Sequence, residues 1–231
     1  MNRVSTEHVT ACPSSILAYS IEVGKASGRL PAADQRDNRF LLLLLSGCYL
    51  PVLLLWSGLI PFAYRFYILP AVLAFYIACS FFRGYHLDEL GFTTANLIHS
   101  LRWNLLLCLF GTFGLYLVYT LGFIRSNHTH YLPWIYAAYI FFLAPVQELI
   151  FRGILFAEMK KNQITDKRLI LLISTCSFCF LHIIYRHPPM LVISAACGLL
   201  WGIIFLKWPN IWGVSLSHSL LGALAMFLGV I

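Results

Sequence analysis

Glu148 and Arg152 lie four residues apart in the run A-P-V-Q-E-L-I-F-R-G, Ala144 to Gly153, inside a long apolar stretch. On a helix that spacing puts both on one face, within reach of each other and in the favoured acid-first order. Gln147 points about 100° away around the same helix, and Pro145, lacking an N–H, kinks the turn before it. Two histidines, His182 and His218, fall in other apolar runs. Charged groups at membrane depth cost roughly 2.5–3.5 kcal/mol each on insertion scales, so they are usually paired or functional. Glutamate with histidine can deprotonate and orient a water, and histidine or amide donors can stabilise the oxyanion formed from a peptide carbonyl. Two histidines and a carboxylate also suit zinc with an open position. No H-E-x-x-H motif occurs, and we expect no metal or other cofactor. Cys179, three before His182, shares its face and is an alternative nucleophile as a histidine-assisted thiolate; Ser215 stands in the same relation to His218. Each residue has a bland reading beside the chemical one. Glu148 and Arg152 make a structural buried pair, the histidines bond between helices, and Cys179 and Phe178 pack. The joint occurrence of these groups is what favours chemistry.

The elements that must position them are apolar helices. Of 231 residues 60% are hydrophobic and 11% charged, with a mean hydropathy of +0.78. A soluble domain would carry about a quarter charged residues. The fold class is therefore all-α, a polytopic membrane bundle of about seven spans. These run about 40–60, 62–82, 103–123, 131–156, 169–185, 190–206 and 211–231, each near the length that crosses ~30 Å of hydrocarbon. A helix start is expected near Asn96, before the third span. Residues 1–39 read as a polar cytoplasmic segment with no signal peptide, with a short amphipathic piece at Ile16 to Val23. No internal repeat is visible. Gly198 and Gly202, at G-x-x-x-G spacing, read as a close helix-packing face. Cys176 and Cys179 form a C-x-x-C inside a span rather than a βαβ pattern, which argues against a thioredoxin-like role.

The net charge of +7 does not point to nucleic acid, because the basic residues cluster at the ends of apolar runs. With the N-terminus inside, twelve of the 16 Lys and Arg fall in inner segments, three (Arg65, Arg125, Arg186) in outer loops, and Arg152 in a span. That split predicts a cytoplasmic N-terminus. At ~1.5 Å per residue from the inner charged ends, Glu148, His182 and His218 lie at roughly 20, 21 and 16 Å. They meet at one level if their helices are neighbours.

These residues resemble the CPBP family (CAAX protease and bacteriocin-processing, or Abi) of glutamic-type intramembrane proteases. The family's Glu-Glu-x-x-x-Arg motif reads here Gln147-Glu148-Leu149-Ile150-Phe151-Arg152, continuing into Gly153. Its Phe-x-x-x-His motif matches Phe178 to His182. Its His-x-x-x-Asn/Asp motif begins at His218 and falls on Gly222. The resemblance covers about residues 132–225, and L-D-E-L-G-F at Leu87 to Phe92 has the same flavour. It implies Glu148, His182, His218 and Arg152 as catalytic residues, with Glu148 either base or, with Arg152, brace. Gln147 and Phe178 position substrate. Two positions depart from the pattern. Gln147 stands where the water-activating glutamate is expected and is no base. Gly222 stands where an amide would support water or oxyanion.

The expectation is a bacterial multi-pass protein of the cell (inner) membrane that cleaves a membrane-anchored protein or peptide near its C-terminal sorting or anchor segment. Its partners would be that substrate and the lipid bilayer, not nucleic acid. Two rivals remain. One is an impaired homologue serving bacteriocin self-immunity or binding a membrane partner. The other is a transporter-like bundle with a proton relay, against which the lack of a repeat argues mildly.

Overall fold

In the computed structural model, residues 38–123 and 132–229 are described; the expected amphipathic piece at Ile16 to Val23 lies outside them. Among the described residues seven apolar helices follow one another: α1 Asn38–Trp56, α2 Arg65–Arg83, α3 Leu97–Thr120, α4 Pro133–Lys161, α5 Lys167–Leu181, α6 Pro188–Lys207 and α7 Ile211–Phe227. No strand occurs among the described residues. Six spans are long and apolar enough to cross a membrane, the second counted from Phe62 and the fifth carried through the 3₁₀ turn to Tyr185; α7 is a shorter apolar helix. The protein is a multi-pass helical bundle, as composition requires.

The outer faces carry the apolar surface that a bilayer would cover. Phe82 on α2 and Phe141 on α4 are 93% and 81% exposed. Exposed apolar surface on this scale marks a membrane or partner face rather than a water-facing one. The core gathers instead around the second half of α4 and around α7. α7 packs against α3 and the middle of α4, α5 packs against α6 and α1, and α3 also meets α6. Small residues on α7 allow this. Ser215, Ser217, Ser219 and Gly222 are all buried there, as close packing between membrane helices favours.

Several boundaries differ from expectation by a few residues, among them the following three. α3 is continuous from Leu97, at the start read near Asn96, rather than beginning as a span at Trp103. α7 ends at Phe227 rather than running to Ile231. α4 runs past Phe156 to Lys161 and so carries Glu158, which is fully buried. Arg83 Nε and Nη2 donate to the Glu158 carboxylate at 3.1 and 2.9 Å, Asn162 Nδ2 donates at 2.8 Å, and Tyr85 donates its hydroxyl. This cluster ties the end of α2 to the end of α4. Burial, and then the Glu158 carboxylate beside it, push the Tyr85 phenol well above its ordinary value.

α4 is not uniformly α-helical. Tyr139–Leu143 and Leu149–Ile154 are π-helical, with Ala144 N–H donating to Tyr139 O and Leu155 N–H to Ile150 O, five residues back. The first wide turn directly precedes Pro145. Proline has no N–H to give Phe141, and its ring crowds that carbonyl, so the helix opens there rather than closing an ordinary turn. Gly153, last of the opening run, lies where a Cβ would come within 3.1 Å of Leu90 O. The α2–α3 connection therefore rests directly on the motif helix.

Candidate active site

Glu148 and Arg152 are both fully buried, and Arg152 Nη1 donates to Glu148 Oε1 at 3.0 Å. The second π turn keeps this i, i+4 pair together while carrying Arg152 toward α6, where Nη2 donates to Gly198 O at 2.8 Å. The guanidinium also lies over the Phe178 ring, 4.7 Å from its centroid. Gly198 lets this happen: a Cβ there would stand 3.0 Å from Phe178 Cδ1 and 3.5 Å from Arg152 Nη2. Its partner in the G-x-x-x-G spacing, Gly202, packs instead against Leu171 of α5 and, more loosely, Phe156 of α4.

His218, on α7, reaches the same carboxylate oxygen. Its Nδ1 is 2.7 Å from Glu148 Oε1. With the carboxylate ionised, Nδ1 carries the proton and donates it, which leaves the Nε2 lone pair for chemistry. The ring stacks on Trp201 at 4.4 Å and meets the edge of Phe178 at 5.4 Å. Trp201 is itself fixed, since its Nε1 donates to Ser217 Oγ at 2.8 Å and Ser217 Oγ donates to Asn104 Oδ1 at 2.6 Å. A chain of buried hydrogen bonds through α6, α7 and α3 thus sets the imidazole plane.

His182 caps α5, where the helix tightens into the 3₁₀ turn His182–Tyr185. Its Nδ1 lies 3.0 Å from Phe178 O. A carbonyl can only accept, so the proton is on Nδ1 and Nε2 has the lone pair. The ring centroid is 5.0 Å from that of Phe178. Phe178, 2% exposed, therefore stands between the two histidines and under Arg152. It touches three polar groups at once and also lines a cavity beside them.

Two cavities share lining residues here. One, of about 350 Å³, lies between α3 and α6 and is lined by Gly111, Cys197, His182, His218 and Gly222. The other, of about 250 Å³, is lined by Arg65, Gln147, Leu181, His182 and Tyr185. Tyr139 and His182 line both. Gln147 is thus turned to the second cavity, away from the Glu148–His218 contact. Gln147 Oε1, Glu148 Oε2 and Arg152 Nε are buried without a hydrogen-bond partner. Unpaired buried polar atoms are rare and cluster where function demands them.

Cys179 is not drawn into this group. Its thiol donates to Leu191 O at 3.3 Å and accepts from Ser194 Oγ at 3.6 Å, toward α6. Ser215 is buried on α7 and lines neither cavity. Among the described residues no group of three His, Cys, Asp or Glu side chains is arranged to hold a metal ion. Glu148 Oε1 is already engaged by Arg152 and His218. Three residues of the site went unread in the sequence: Tyr139, Trp201 and Asn104. A tyrosine or tryptophan in an apolar run carries no distinguishing pattern. Asn104, at the start of the expected third span, was a polar residue and gave the one usable signal.

Residues 128–224 match the family model described as Type II CAAX prenyl endopeptidase Rce1-like. The CPBP resemblance carried by the motifs therefore holds over the segment that contains Gln147, Glu148, Arg152, Phe178, His182 and His218. That family is one of membrane proteases acting on protein substrates. No curated protein and no solved structure matches the chain.

Proposed function

We propose that the protein is an intramembrane endopeptidase of the cell membrane, cleaving a membrane-associated protein near its C-terminal sorting or anchor segment. The observation that carries this reading is the His218–Glu148 contact, a carboxylate-oriented imidazole on the wall of an apolar cavity. A base held in its tautomer by a third group is the arrangement that activates a weak nucleophile. Glu148 accepts from His218 Nδ1 and so orients the ring; Arg152 in turn donates to Glu148 and holds it in place. Water gives one hydrogen to His218 Nε2 and one to His182 Nε2, and its oxygen lone pair faces the substrate carbonyl. Gln147, in the second cavity, donates from its amide to the substrate backbone. Glu148 thus acts through His218 rather than on water directly.

The test is processing of membrane-inserted peptides by purified protein, one series bearing a small motif, an apolar span and a basic end, another a prenylated C-terminus. Wild type is compared with Gln147→Glu, Glu148→Gln and Cys179→Ala. Cleavage by wild type and Cys179→Ala but not by Glu148→Gln supports the proposal. An inert wild type with an active Gln147→Glu would instead favour a binding or self-immunity protein built on a protease scaffold. Gln147, which cannot act as a base, is the residue that favours that second reading.

A further inference from the structure

We infer that Tyr139 supplies the oxyanion donor of the proposed cleavage, an inference that rests on the protease reading above. Tyr139 opens the first π turn of α4. Its ring meets the His218 ring edge-on, with centroids 6.2 Å apart. Its hydroxyl lies over Gly222 of α7, where a Cβ would collide with Oη, Cζ and Cε1. Gly222 follows His218 by four residues, so both lie on one face of α7. Any larger residue at 222 would expel the hydroxyl from that face; glycine admits it. Among the described residues the hydroxyl has no hydrogen-bond partner. Tyr139 and His182 line both cavities, and His218 lines the first of them.

A phenol is a neutral O–H donor at pH 7. As the water oxygen bonds to the carbonyl carbon, the carbonyl π pair moves to oxygen and the water proton moves to His218 Nε2. Tyr139 donates its hydrogen bond to the oxyanion and keeps its proton. Collapse of the oxyanion breaks the C–N bond, and the proton passes from His218 to the leaving nitrogen. The products are a carboxylic acid and an amine, with one water consumed.

The test uses full-length protein in lipid nanodiscs and whichever of the two peptide series wild type cleaves. Tyr139→Phe keeps the ring and removes the donor. Its kcat should fall about 10²–10³-fold, as for loss of one oxyanion-hole donor, with KM unchanged. Tyr139→Ala should be equally slow, and adding Gly222→Asn to it should restore part of kcat, because the amide then occupies the vacated place beside His218. Wild-type kcat in Tyr139→Phe, or a loss confined to KM, would overturn the inference while leaving the protease reading intact. If wild type cleaves neither series, the protease reading fails and this inference falls with it.

Discussion

His218 Nδ1 lies 2.7 Å from Glu148 Oε1, the same oxygen that accepts from Arg152 at 3.0 Å. One carboxylate atom, fully buried, thus joins α4 to α7 and fixes the histidine tautomer. Removing Glu148, the shared member, leaves the buried Arg152 guanidinium without its carboxylate partner and His218 without its acceptor.

Glu148→Gln should therefore abolish processing and also destabilise the bundle. Breaking one side of a buried ion pair typically costs about 3–5 kcal/mol. Replacing both partners with apolar residues is often near neutral, so Glu148→Leu with Arg152→Met should unfold later than Glu148→Gln alone. Thermal unfolding in nanodiscs measures this. A double variant less stable than the single would refute the pairing.

His182→Ala should remove processing while leaving membrane insertion and folding normal, since the Nδ1 bond to Phe178 O is local to the end of α5. Cys179→Ala should process like wild type, because the thiol is turned to Leu191 O. Cleavage of the peptide series, with protease accessibility as the insertion control, tests both.

At Gly198 a methyl would meet Phe178 and Arg152 together. Gly198→Ala should cost about 1–3 kcal/mol as an overpacked site and reduce kcat by shifting Arg152. Gly202→Ala should cost stability with little effect on kcat, as its neighbours Leu171 and Phe156 lie outside the site. Unfolding and kinetics measured on the pair separate the two roles.

The Tyr85–Glu158 bond predicts a pH dependence of stability. Burial raises the Tyr85 phenol, so the folded state holds the proton more tightly than the unfolded chain, whose tyrosine titrates near 10. The contribution is fully present below about pH 10 and is lost as pH rises through the folded value. Tyr85→Phe should flatten the alkaline limb of the stability curve and leave the neutral limb's slope unchanged. An unaltered alkaline limb would show that Glu158 does not depend on this donor.

The apolar runs made the helices and their number legible, because crossing hydrocarbon requires long stretches whose composition is unmistakable. Glu148, His182 and His218 stood out for the complementary reason, as groups that such stretches rarely tolerate. Other features were hidden. Glu158 sits beside Lys160 and Lys161 and reads as a solvated helix end; only the approach of Arg83 and Tyr85 from α2 and the loop after it buries it. Which cavity Gln147 faces depends on the π turns around Pro145, and a regular 100° step does not encode them. Gly222 reads in sequence as a missing side chain, and its meaning comes from Tyr139, 83 positions earlier in the sequence, filling the space it leaves.

The most direct test of the central claim is cleavage of the membrane-inserted peptides in H₂¹⁸O by wild type and by His218→Ala, read by mass spectrometry of the new C-terminus. The account predicts one ¹⁸O in the wild-type product carboxylate and no product from His218→Ala. A His218→Ala protein that cleaves at the wild-type rate, or a wild type that yields no new C-terminus from either peptide series, would contradict it.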